Sequence, residues 1–243
     1  MVVRIYIIIL LYFLAGAISF FFINRHKTNE EAKKNRIKLL SYFIIINTLY
    51  FSICINTFVF RYLSVIILLT GLYEIINLFV KSGYMKKSVL LTSIAIYSAL
   101  AYGFFWFSAL TKEKILFVFL VISAFDSFSQ ISGQIAGRHK LCPGISPAKT
   151  YEGLAGGIIF AFITAFLIRG LLITSIINII VITLIIVISA LGGDLMASLL
   201  KRRYRVKDFS NLLPGQGGFL DRFDSLIAGG AVIFLFSKIM QQI

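Results

Sequence analysis

Charge is scarce in this chain. Of its 243 residues only 14% are charged, and only 10 are Asp or Glu. With 59% hydrophobic residues and a mean hydropathy of +0.93, that scarcity excludes an ordinary water-soluble domain. Cysteine is nearly absent too. Cys54 lies in a greasy run and Cys142 in a polar loop, which excludes a disulfide framework, and neither has the neighbours that a zinc site needs. The two histidines, His26 and His139, are isolated and read as solvated loop residues, so the chain offers no catalytic imidazole. Period-two alternation is missing from the apolar runs, which excludes a transmembrane barrel. No convincing internal repeat is present, and this speaks against a transporter built on repeated halves.

What remains is a series of apolar runs, several longer than the roughly 20 residues a spanning helix needs. They predict an all-α polytopic membrane protein with about eight transmembrane helices, near 5–23, 39–60, 62–80, 88–110, 115–136, 153–173, 175–199 and 223–241. The first run has no persuasive small-residue cleavage site and is read as a span rather than a signal. The net charge of +14 would suggest nucleic acid in a soluble protein; here the bases belong to loops that face anionic headgroups, so the partner is the lipid bilayer and not nucleic acid. Eighteen of the 24 Lys and Arg fall in the loops 24–38, 81–87, 137–152 and 200–222; the other six are Arg4, Arg61, Lys112, Lys114, Arg169 and Lys238. The positive-inside rule then puts those loops in the cytoplasm and both termini outside it. The expected location is the cell (inner) membrane, multi-pass, with the catalytic loops and the active site on the cytoplasmic side.

Two regions differ in character. Residues 1–110 read as an N-terminal transmembrane scaffold with little polar chemistry. Loop 24–38 within it reads as a solvated, headgroup-contacting linker. Glu74 is the exception, an acid inside the third span that could serve function or reach Lys81 or the interface. Residues 111–243 read as the C-terminal transmembrane catalytic region. Asp126 falls in the inner half of the fifth span, where it needs a polar cavity and a partner. Gly133 and Gly137 share a helix face and suit close helix packing as well as ligand contact. The following GISPAKT is not a P-loop, because Ala148 and Pro143 stand where that motif needs glycines. It still supplies a rigid turn, hydroxyls, Lys149 and a helix start suited to an anion.

Residues 194–225 concentrate the polar chemistry. Asp194, Asp208, Asp221 and Asp224 lie among Lys201, Arg202, Arg203, Arg205, Lys207 and Arg222. Acids that can hold a divalent metal, interleaved with bases that neutralise phosphate oxygens, suit a metal and a polyphosphate bound together. Asp194, Ser198 and Lys201, spaced by four and three, fall on one helix face, and Asp221 and Asp224 share another.

This stretch resembles the signature of the phosphatidate cytidylyltransferases, the CDP-diacylglycerol synthases. The match runs through Ser198, Lys201-Arg202, Lys207-Asp208, Pro214-Gly215, Gly217-Gly218 and Asp221-Arg222-Phe223-Asp224. A second motif of that family matches at Asp126, Gly133, Gly137, Ser146, Pro147, Lys149, Thr150, Glu152, Gly153, Gly156 and Gly157. Two departures stand out: Gln216 replaces the family's usual His, and Ala197 its Glu. The resemblance implies attack by a phosphatidate oxygen on the α-phosphate of CTP, giving CDP-diacylglycerol and pyrophosphate. It implies Mg²⁺ as cofactor, with Asp194 and Asp221 as metal ligands and Asp224 and Asp126 as further ligands or orienting groups. Lys201, Arg202, Lys207, Lys149 and Arg222 are then candidates for the triphosphate or lipid headgroup, and Ser146, Thr150 and Ser198 for hydroxyl donors to phosphate. Arg203 and Arg205 read as interfacial anchors, and a homodimer is what the family suggests. The alternatives kept open are a CTP-dependent lipid-alcohol kinase of related membrane type, a membrane transporter using Asp126 and Asp194, and an inactive paralogue.

Overall fold

Backbone amides and carbonyls find no water in hydrocarbon, so each apolar run must close its own hydrogen bonds as a helix. A computed structural model describes residues 2–25, 28–84, 86–213 and 217–241. Its described residues form α1 (Val2–Asn24), α2 (Asn29–Ile55), α3 (Thr57–Lys81), α4 (Lys87–Phe107), α5 (Lys112–Ala136), α6 (Tyr151–Leu167), α7 (Ile176–Arg203) and α8 (Leu220–Gln241). Six of them, α1 to α5 and α7, are long and apolar enough to cross a bilayer. Helix α6 is apolar but has 17 residues, and α8 opens on Asp221 and Arg222. The protein is therefore a helical, multi-pass membrane protein.

Helix α5 is the centre. In its apolar stretch 61% of the residues are buried, against 17% in α1 and in α4. Small residues let its neighbours approach. Gly157 of α6 sits where a Cβ would lie 1.8 Å from Ser129 Oγ and 2.8 Å from the Phe125 carbonyl of α5. Gly193 of α7 presses on Ala228 and the Asp224 carbonyl of α8, and Gly103 of α4 presses on Ala231 of α8. Such small-residue seams suit association inside a bilayer, where packing rather than water drives helices together.

Several boundaries differ from those the hydropathy implies. Residues 29–38 are not a linker but the first turns of α2. Thr28 caps them, its Oγ1 accepting from Glu31 N at 3.4 Å. The Thr28-x-x-Glu31 spacing is the readable signal, which hydropathy hides behind the surrounding charges. Between α2 and α3 the chain breaks at Asn56, whose Oδ1 accepts from Phe58 N at 2.9 Å. The loop 137–152 contains a small antiparallel hairpin, β1 (Lys140–Cys142) and β2 (Ser146–Thr150), added to the otherwise helical fold. Its turn is closed by Ile145 N donating to Cys142 O at 3.1 Å, around Pro143 and Gly144.

The basic loops gather at one end of the bundle. Lys86 Nζ donates to the Arg203 carbonyl, and Arg202 Nε donates to Ile145 O at 3.0 Å. At the opposite end Lys112 Nζ donates to Cys54 O at 2.8 Å, and Tyr50 reaches Val2 O at 2.8 Å. The polar site lies at the end of the basic loops.

Candidate active site

Two lysine–carboxylate pairs define the site. Lys149, carried in by β2, binds Asp194 of α7, and Lys201 of the last turn of α7 binds Asp221 at the start of α8. The first pair is partly open, with side-chain exposures of 24% and 30%; the second is nearly sealed, at 11% and 3%. Asp194 also takes Ser198 Oγ at 3.4 Å, one helical turn away. Asp221 Oδ2 accepts from Phe209 N at 2.9 Å and Gly218 N at 2.8 Å, while Oδ1 meets Lys201. The Lys201 ammonium also lies 5.4 Å from the centre of the Phe209 ring.

Asp126 and Asp224 complete the acidic cluster. Asp194 acts electrostatically on Asp126 and on Asp224, Asp126 acts on Asp224, and all three act on Lys149. Burial pulls the Lys149 ammonium toward losing its proton, but Asp194, with Asp126 and Asp224, outweighs burial and leaves its pKa raised. Ser225 bridges the other two acids: its Oγ lies 3.4 Å from Asp126 Oδ1 and its N–H donates to Asp224 Oδ1 at 2.7 Å.

The other sequence candidates have varied positions. Arg222 Nη1 donates to Tyr42 Oη at 2.6 Å, with the guanidinium 5.5 Å from the Tyr42 ring centre. Arg202 braces the site, Nε to Ile145 O and Nη1 to Val206 O at 2.9 Å. Thr150 is 4% exposed and caps α6 by accepting from Gly153 N at 3.1 Å, so its hydroxyl already has structural work. Gly133 and Gly137 leave room for that hydroxyl, and this fits the packing reading of the pair. Ser198 is buried, Ser146 half-buried, and Lys207, Arg203 and Arg205 are exposed. His139 is exposed but not isolated, since its Nδ1 lies 2.6 Å from Glu152 Oε1, and the same carboxylate accepts from Arg138 N at 3.0 Å. Gln216, with Pro214 and Gly215, lies outside the described residues.

Two participants come from the half expected to be scaffold. Tyr42 of α2 is one. Glu74 of α3 is the other: it does not use Lys81, but accepts from Phe219 N at 2.8 Å, Leu220 N at 2.6 Å and the Ser210 hydroxyl. Both contacts span well over a hundred residues of sequence, and the backbone donors that Glu74 accepts from leave no pattern to read.

The donor set fits a hard divalent cation. Among the described residues no three His, Cys, Asp or Glu side chains gather to hold a metal. Asp194 and Asp221 nevertheless each direct an oxygen at a lysine ammonium, which occupies the place of a cation. Mg²⁺ is commonly held by one or two carboxylates, completing its shell with water and substrate phosphate. Beside this cluster Ile75, Tyr97, Ala197, Phe209, Leu220 and Asp224 line a mostly apolar groove.

The fold and site together define a multi-pass helical membrane protein with an acid–base centre suited to phosphates. The model of the cytidylyltransferase family matches residues 112–240, more than half of the sequence, and the chain belongs to that family. It is 41% identical to the phosphatidate cytidylyltransferase of Bacillus subtilis over 143 residues, 56% of this chain and 53% of that protein. With the phosphatidate cytidylyltransferase of Rickettsia felis it shares 38% over 131 residues, 51% of this chain and 58% of the other. With that of Haemophilus influenzae it shares 41% over 120 residues, 47% and 42% of the two chains. The chain spans about half the length of the curated relatives it matches. Tyr42 and Glu74 lie outside the family match.

Proposed function

We propose that this protein transfers the cytidylyl group of CTP to phosphatidate, forming CDP-diacylglycerol and releasing pyrophosphate. The observation that carries the reading is the pair of lysine–carboxylate contacts, Lys149 with Asp194 and Lys201 with Asp221, beside an apolar groove that Asp224 helps to line. A phosphatidate phosphate oxygen forms the new bond to the α-phosphorus of CTP as the bond to the pyrophosphate oxygen breaks. The nucleophile is already ionised, so the protein needs no strong base; it must align two polyanions and neutralise their repulsion.

Asp194 and Asp221 would hold Mg²⁺, which would neutralise charge on the phosphate oxygens and on the departing pyrophosphate. On binding of substrates Lys149 and Lys201 exchange their carboxylates for phosphate oxygens, which keeps each ammonium paired. Arg222 and Lys207 add positive charge to the triphosphate and headgroup. Asp126 and Asp224 orient the first pair of groups, Ser198 holds Asp194, and the acyl chains of phosphatidate extend into the apolar groove. Because the bases gather at one end of the bundle, that end is assigned to the cytoplasm of the inner (cell) membrane, where the nucleotide is. A cysteine placed at Ser210 in a Cys54→Ala, Cys142→Ala background should resist an impermeant thiol reagent in intact cells and react in inverted vesicles; the opposite pattern reverses the topology.

The reaction is tested by incubating purified protein with phosphatidate, Mg²⁺ and CTP labelled at the α or the γ position. Label should enter the lipid from the α position and not from γ. Lipid labelled from γ alone would make the protein a kinase, and no label from either would refute transfer.

A further inference from the structure

Glu74 is fully buried in a helix that hydropathy marks as scaffold, and both of its carboxylate oxygens face one target. Its Oε1 accepts from Phe219 N at 2.8 Å and from the Ser210 hydroxyl, and its Oε2 accepts from Leu220 N at 2.6 Å. The first N–H groups of a helix have no partner inside it, and a carboxylate there is favoured by the helix dipole as well. Glu74 is thus an N-terminal cap for α8 delivered from α3.

The same contacts close a loop. Glu74 holds residues 210 and 219, while Asp221 holds residues 209 and 218 through their backbone N–H groups. Two carboxylates therefore tie the neck of the segment between Phe209 and Leu220. Gly218 lies between them: a Cβ there would stand 2.8 Å from Asp221 Oδ2 and 3.0 Å from Glu74 Oε1. Phe219, whose N–H Glu74 holds, directly follows Gly218, so displacing Glu74 disturbs one of the two backbone donors that orient Asp221.

From this we propose that Glu74 is a positioning residue: it clamps the loop neck and the first turn of α8, and so sets the Asp221 carboxylate and Lys201 for the reaction. It touches no substrate and acts through Asp221. The kinetic part of this inference rests on the transferase reading above; the clamp itself does not.

The test compares full-length wild type with Glu74→Gln, in which an amide NH₂ replaces one acceptor, and with Glu74→Asp, which keeps the charge but withdraws it by one methylene. Backbone hydrogen exchange should speed up at least about tenfold at Phe219 and Leu220, and also at Phe209 and Gly218, whose N–H groups donate to Asp221 and not to Glu74. Turnover should fall by about tenfold or more, on the scale of one lost charge-assisted hydrogen bond, and half-saturating Mg²⁺ should rise, with KM for phosphatidate nearly unchanged. Glu74→Asp should fold if Glu74→Gln does not, and should show the same pattern more weakly. Unchanged exchange at Phe209 and Gly218, or a lowered melting temperature with wild-type turnover and Mg²⁺ dependence in the folded protein, overturns the proposal. If wild type itself makes no CDP-diacylglycerol, the reaction reading fails, and the exchange measurement alone decides the clamp.

Discussion

The two ends of the chain solve different problems with the same apolar alphabet. Helices α1 and α2 show many of their hydrophobic side chains to the surroundings: Leu11, Leu14, Ile18, Leu40 and Ile44 are all more than half exposed. Helix α5 turns most of its own inward, with Phe117, Val121 and Phe125 almost wholly buried, and α6 buries Ala161 and Ala165 on its packed face while Ile159 and Leu167 face out. In water the first pattern would signal an interaction surface, but in a bilayer lipid covers it at no cost. The difference shows that hydropathy marks what can enter the membrane and says little about which faces pack. Steric fit decides the rest, and glycine is where it is decided.

A comparison of the halves by chemistry is less one-sided. The C-terminal half carries Asp126, Lys149, Asp194, Lys201, Asp221 and Asp224, whereas the N-terminal half, among the described residues, contributes Tyr42 and Glu74 to the same centre. The largest expected effects therefore come from the C-terminal acids. Asp194→Asn and Asp221→Asn each keep size but put an NH₂ donor in place of one acceptor oxygen and lose the charge that would hold Mg²⁺. Each should lower turnover at least about a hundredfold, the scale of several kcal/mol of lost charge stabilisation. The measurement is turnover of purified, monodisperse variants across a Mg²⁺ titration. Near wild-type rates at low Mg²⁺ for either variant would remove that residue from the metal site. If Glu74→Gln matched these losses, the division between a catalytic half and a supporting half would itself be broken.

Much of the C-terminal centre could be read from the sequence because its geometry is local. Asp194, Ser198 and Lys201 repeat at helical spacing, and the 3.4 Å approach of Ser198 to Asp194 follows from that spacing alone. Lys149 was picked out by its place between a Pro-Gly turn and a helix start, though not its pairing with Asp194, which depends on how the hairpin folds over α7. The cap at Thr28 was readable, yet hydropathy overrode it. The clamp at Glu74 was not readable. Its donors are backbone N–H groups, which every residue but proline carries, and they lie 145 and 146 positions away. An acid in a span signals that a partner exists, but it does not say where.

The finest test of the contrast between the two ends uses two alanines. In Gly157→Ala the new methyl would meet the Phe125 carbonyl at 2.8 Å, a backbone atom that can retreat only if α5 and α6 separate; Ser129 Oγ, at 1.8 Å, would have to rotate away as well. A loss of roughly 1–3 kcal/mol is expected, the usual size of overpacking, read as a lower melting temperature in a fixed detergent. In Gly16→Ala the methyl would meet only Leu39 Cδ1 at 3.8 Å and Ile131 Cδ1 at 4.0 Å, both ordinary contacts with the ends of flexible side chains. Alanine is the better helix former by about 1 kcal/mol, so this variant should be as stable as wild type or slightly more so, with unchanged turnover. The sign is what matters. A clear loss of stability in Gly16→Ala would mean that α1 is packed as tightly as α6, which its exposed Leu11, Leu14 and Ile18 could achieve only against a second chain. The contrast between a lipid-facing end and a packed end would then hold for one protomer and fail for the assembly.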